Sequence, residues 1–176
     1  QIDNTIREWI SLFPTHCRKE SCTLNAPSCS SMNAELRDLE GMLEGGNYTV
    51  FLRAYSVSHA ADATPREIVA SALGESAVIG NVIPEVADEV VSEIRCCLEH
   101  SGDEGYGPFA SRLASPKFKS LCLSVLAQVS DLCASAQEII LFWIAEGHPA
   151  YPVFWDFAYL FRGLEQSSIF IGSSSD

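Results

Sequence analysis

The chain is short of positive charge: its 176 residues include 11 lysines and arginines against 23 aspartates and glutamates, a formal net charge of −12. Basic residues gather only at Arg18-Lys19 and around Lys117 and Lys119. Nucleic-acid binding, or attachment to an anionic membrane through a basic patch, is therefore not expected, and the acidic surface favours a basic protein or peptide partner. Long apolar runs are missing too. The densest, Ile139 to Ile144, is six residues flanked by Glu138 and Glu146, whereas a membrane-spanning helix needs about 20. No P-loop, GxGxxG, GxSxG, HExxH or paired CxxC occurs, and no repeat period shows, so the common phosphate, dinucleotide, hydrolase and zinc signatures are absent.

Cysteine, in contrast, is plentiful at seven, an odd number that leaves at least one thiol free if the others pair. Cys17, Cys22 and Cys29 stand in a Ser/Thr/Pro-rich segment, whereas Cys96, Cys97, Cys122 and Cys133 sit in helical patterns as small buried hydrophobes do. The spacing of the first three, even with His16 added, departs from short paired-ligand zinc patterns, so neither a metal nor a cofactor is expected. His59, His100 and His148 are scattered among loops and helix ends. No signal peptide is visible, although a chain starting at Gln1 also fits a processed product. A reducing, cytosolic home is expected, with a secreted one as the alternative.

An apolar fraction of 47% and a charged fraction of 19% describe a globular chain, most simply one domain over residues 1–176. Ile6, Trp9, Ile10 and Phe13 recur at i, i+3, i+4, i+7 and predict an amphipathic helix ended by Pro14. Residues 15–31 lack periodicity and read as a loop. Met32, Leu36, Leu39 and Leu43 line a second helix, with Asn33 as its candidate cap and Gly45-Gly46 as its stop. Tyr48 to Val57 fits strand or helix, and the flanking helices favour helix. Thr64-Pro65 opens another helix to about Leu73, and Pro84 to His100 predicts a further one with Val86, Val90, Ile94 and Cys97 inward.

The segment from Lys117 to Ala134 is apolar nearly all round, which predicts a central helix on which the others pack. After it, Ala136 to Gly163 carries two of the three tryptophans and reads as helix, proline corner and second helix, the latter with Phe154, Phe157, Ala158 and Phe161 on one face. Residues 167–176 read as a polar, frayed tail. The expected fold is an all-α bundle around the helix at Lys117–Ala134.

The closing stretch, with Trp143-Ile144, Gly147, Trp155-Asp156, Phe157, Leu160 and Gly163, resembles the second homology region of the Bcl-2 family of apoptosis regulators. Glu89 to Ile94 and Gly105-Tyr106-Gly107 are similar to the family's first region, with Tyr106 in place of its tryptophan and Pro108 in place of its groove arginine. Arg112, one turn on, is the nearest substitute. Leu36 to Gly41, or alternatively Ile83 to Val90, is similar to the third region. The resemblance implies an all-α, non-enzymatic regulator of apoptosis, in the cytosol or at the mitochondrial surface, that lays an amphipathic pro-death helix into a hydrophobic groove. It implies a groove formed by Val90, Ile94, Tyr106, Gly107, Phe109, Arg112, Leu113, Leu121, Val125 and Trp143. So divergent a copy, without an evident tail anchor, would suit a borrowed viral fold.

Two other readings stand beside it. One is a secreted or surface protein with Cys17, Cys22 and Cys29 in disulfides and Asn47, in the sequon Asn47-Tyr48-Thr49, glycosylated. The other is a small all-α enzyme using Glu146, His148 and Asp156, although no nucleophile with an orienting partner is evident. A disulfide-linked homodimer through Cys96-Cys97 or the N-terminal thiols also fits the sequence.

Overall fold

The computed structural model describes residues 29–102 and 105–176. The chain is not an all-α bundle. Its centre is a five-stranded antiparallel sheet, in the order β2 (Thr49–Ser58), β7 (Gln166–Ser175), β6 (Trp155–Arg162), β5 (Glu138–Glu146) and β3 (Val78–Pro84). Five helices accompany it among the described residues: α1 (Cys29–Leu43), α2 (Pro65–Leu73), α3 (Ala87–Leu98), α4 (Ala110–Leu113) and α5 (Pro116–Ser135). A second, two-stranded sheet joins β1 (Gly45–Gly46) to β4 (Gly107–Pro108). Gly45 is required there, because a Cβ on it would fall 1.9 Å from the Gly107 carbonyl oxygen.

The expected closing helices are strands β5 and β6, and the expected polar tail is β7, the strand between β2 and β6. The physical reason is burial on both faces. In β6, Phe157, Tyr159 and Phe161 point to one core while Ala158 and Leu160 point to the other, so the strand is apolar throughout and its residues also satisfy helical spacing. In β7, Ile169, Phe170 and Ile171 are fully buried within a serine-rich frame. Gly172 makes room for Phe157, whose ring lies 2.3 Å from where a Cβ would stand. The Tyr48–Val57 stretch is strand β2, and the helix expected from Pro84 begins at Ala87, because Ile83 and Pro84 belong to β3.

One face of the sheet carries α1, α3 and α5. Met32, Leu36, Leu39 and Leu43 of α1, Val90, Ile94 and Leu98 of α3, and Phe118, Val125 and Val129 of α5 share a core with Leu52, Phe157, Tyr159 and Phe170. The long apolar helix does form, at Pro116–Ser135, with Ser115 as its N-cap, but it lies over a sheet rather than at the centre of a bundle. On the opposite face α2 runs from the end of β2 across to β3, burying Ile68 and Val69 against Ile79, Ile140, Leu160 and Ile169. Its start is a capping box: the Thr64 side chain accepts from the Glu67 amide, and the Glu67 carboxylate accepts from the Thr64 amide. The expected helix at Ile6 to Phe13, along with His16, Cys17 and Cys22, lies outside the described residues. No disulfide joins the described cysteines. Among the described residues no helix is long and apolar enough to cross a membrane.

Candidate functional site

The residues expected to line a groove fall into three places. Val90, Ile94 and Val125 are fully buried between helices and sheet, with Leu113 and Leu121 half-buried against the same core. Tyr106, Gly107, Phe109 and Arg112 gather beside the small sheet, next to a cavity of about 250 Å³ lined by Gly46, Ser101 and residues 105–110. There Arg112 is occupied: its guanidinium donates to the carbonyls of Gly41 and Glu44 at 2.9 Å each and lies 5.1 Å from the Phe109 ring centroid. It closes the C-terminal end of α1, whose last carbonyls have no partner within the helix. Trp143 stands apart from both groups, on β5.

Trp143 lies on the helix-bearing face of β5 but is largely uncovered. α1 lies along β2, and α3 lies along β6, where Glu93 accepts a hydrogen bond from the Tyr159 hydroxyl. Along β5 the cover thins. Ile139 and Leu141 are half-buried beside α3, whereas Trp143, further along the same strand and face, is 46% exposed. Ile83 pairs with Leu141 across the strands and so shares its face, and it is 44% exposed. Gly80 has its Cβ direction toward the Trp143 and Ala145 side chains, so the bulged part of β3 leaves the indole uncovered. Val86, at the mouth of α3, is 60% exposed. Glu85, Asp88 and Glu89 follow these apolar residues in the chain, and Glu146 ends β5. The result is an exposed apolar strip on the β3–β5 side of the sheet, in a chain of net charge −12.

Titratable groups elsewhere are turned to structural use. Burial first, then Glu93, Cys96 and Asp156, pushes the Cys97 thiol up to about 12, and burial pushes Cys122 equally far. Such thiols stay protonated and unreactive at neutral pH. Tyr159 is raised as well, by burial and by the neighbouring Glu93 carboxylate. His59 bonds Ser167 Oγ through Nε2 at 2.6 Å and the Ala60 carbonyl through Nδ1 at 2.8 Å, beside a cavity of about 620 Å³. This is the geometry of a serine held by a histidine of fixed tautomer. Ser167, however, is only 2% exposed, and its oxygen already accepts from the Gly163 amide. The pair therefore fastens the β2–α2 connection to the β6–β7 hairpin. Glu146, His148 and Asp156 share no hydrogen bond or ion pair, and His148 turns inward to the Ala150 backbone. Asn47 is exposed at the β1–β2 turn with φ +47°, while Tyr48 beside it is buried.

The chain matches no known family model, no curated protein and no solved structure. The function is accordingly read from the surface itself.

Proposed function

We propose that the chain is a non-enzymatic interaction domain that holds a basic, amphipathic helix from a partner protein against the apolar margin formed by Ile83 and Trp143. The observation that carries this reading is the 46% exposure of Trp143 on a strand whose same-face residues Ile139 and Leu141 are half-buried against the core. A large aromatic left open beside further apolar side chains is the kind of anchor on which binding energy concentrates. The net charge of −12 selects the sign of the partner and speeds its encounter, an effect that salt weakens. Helix-in-groove binding is retained from the sequence reading, but the seat is a sheet margin, and Arg112 has no part in it.

Calorimetric titration tests this with a panel that includes pro-death helices, unrelated basic amphipathic helices and an acidic control. Saturable binding is expected for basic helices only, lost in Trp143→Glu and kept in Arg112→Glu. Binding that survives Trp143→Glu, or no binding by any helix to a chain whose margin is open, overturns it.

A further inference from the structure

Gly80 is a glycine that the fold does not ask for. Between the pairs Ile79–Ile144 and Val82–Phe142, two residues of β3, Gly80 and Asn81, stand against the single residue Trp143 of β5. Glycine inside a strand marks a bulge with a left-handed backbone, another part of the chain pressed against it, or a ligand that comes close. The first does not apply, because the φ of Gly80 lies outside the left-handed region that Gly74 and Gly147 occupy. Nor does the second. A Cβ on Gly80 would have its nearest neighbour, the Trp143 Cβ, at 3.8 Å, an ordinary contact, whereas one on Gly45 would fall 1.9 Å from a carbonyl oxygen. We propose that the third holds: Gly80 is the seat on the strip that receives an apolar anchor side chain of the partner helix, and its missing side chain sets which helices fit. This rests on the reading of the strip as a binding surface and adds its specificity.

The surroundings define the seat. A side chain at position 80 would start beside the Cβ atoms of Trp143 and Ala145, so its absence leaves a recess next to the indole. The floor of the recess is held in place: the Arg66 guanidinium of α2 donates to the Ile79 carbonyl and, at 3.2 Å, to that of Gly80. Ile83, opposite Leu141, lies two paired positions along the strip from Trp143, which is about 7 Å. Side chains three or four residues apart on a helix have their Cβ atoms about 5–6 Å apart. One helix can therefore rest an anchor on Gly80 against the indole and the next on Ile83. A leucine or phenylalanine reaches into the recess; an alanine does not.

The test titrates the full chain, Gly80→Ala and Gly80→Val with a helical peptide of leucine and lysine, its leucines at i, i+3, i+4 and i+7. A peptide with alanine in place of leucine is the charge-only control. The leucine helix is expected to bind the unsubstituted chain, severalfold more weakly Gly80→Ala, and about tenfold more weakly Gly80→Val, whose side chain fills the recess; the control should bind all three weakly and alike. A second readout needs no partner. The urea midpoint should rise in Gly80→Ala, because alanine at an unstrained position loses less chain entropy on folding, and valine, which suits a strand, should not lower it. A fall in the midpoint of Gly80→Ala overturns the inference, since the glycine is then structural. So does a control helix bound as tightly as the leucine one, which means that charge alone holds it. A leucine helix bound equally by all three chains overturns the inference and leaves the binding function standing; one bound by none of them, the unsubstituted chain included, overturns both.

Discussion

The two edges of the sheet are finished in different ways. At β2 the middle of the outward backbone is bonded by side chains of α1. Asn33 donates to the Ala54 carbonyl at 2.7 Å and accepts from the Ala54 amide at 2.9 Å, and Glu40 accepts from the Leu52 amide at 2.7 Å and from Arg53 at 2.5 Å. A side-chain amide thus takes the place of a sixth strand. At β3 the edge is only blunted, by a bulge, by Pro84, and by the Arg66 guanidinium on the carbonyls of Ile79 and Gly80. These devices discourage strand addition but cover no apolar side chain. The contrast is one of cover: α1 bonds the β2 edge through its own side chains, whereas the β3 edge is dressed against sheets and leaves Ile83 and Trp143 exposed.

The largest expected effect comes from opening the sealed edge. Asn33→Ala strands both polar groups of Ala54, a residue only 4% exposed, and should cost about 2–3 kcal/mol in urea unfolding. Asn33→Asp is the sharper control, since its carboxylate still accepts from the amide but faces the Ala54 carbonyl; it should lose nearly as much. A loss no greater than that of an ordinary surface substitution would mean that α1 holds the edge by apolar packing alone.

On the blunted side Arg66→Ala should cost about 1 kcal/mol, because the two carbonyls it meets become accessible to water. Thr64→Ala, which removes one half of the capping box at the start of α2, should cost about the same. If Arg66→Ala instead produces concentration-dependent oligomers by sedimentation, the guanidinium is the guard against strand addition.

The covered part of the face should also differ from the margin in its response to alkali. Cys97 lies at 9.0 when unfolded and about 12 when folded, so its neutral form favours the fold. That contribution is complete below pH 9 and is lost as the pH rises from there through about 12. Tyr159 adds to the effect in the same direction, from its ordinary value of 10.0 upward. Alkaline unfolding followed by circular dichroism should therefore move to higher pH in Cys97→Ala, while Trp143 substitutions leave the midpoint unmoved.

What could be read from the sequence was set by how many faces each element buries. α1 and α3 each bury one face, and the helical spacing of Met32, Leu36, Leu39 and Leu43 and of Val90 and Ile94 matches the structure, while α2 was legible from Thr64-Pro65 at its start. Strands β5, β6 and β7 bury both faces over much of their length, which removes the period-two signal and leaves an apolar run that either element accommodates. The β-branched and aromatic content of Ile139 to Ile144 was the available clue. In β7 even that was masked, because serine lowers the apparent hydrophobicity of a strand in which Ser173 and Ser174 are 1% exposed. Asn33 at a helix start looks like a cap, since nothing local tells that its partner is 21 residues away. The acidic surface was legible from composition, and Trp143 was singled out, though as part of a helical corner. The margin around it depends on the register of β3 against β5, including a bulge that no local spacing encodes.

The smallest expected effect on stability belongs to Trp143 itself, and its smallness is what gives the comparison its force. A tryptophan packed into a core costs about 3–5 kcal/mol when truncated, and Phe142→Ala, one residue away and 2% exposed, should fall in that range. Trp143→Ser, on the open side of the same strand, should stay within about 0.5 kcal/mol for the sheet alone. Urea unfolding of the two variants reads the contrast directly, since the strand is the same and only the face differs. A loss in Trp143→Ser as large as that in Phe142→Ala would make Trp143 a core residue and remove the open edge from the comparison.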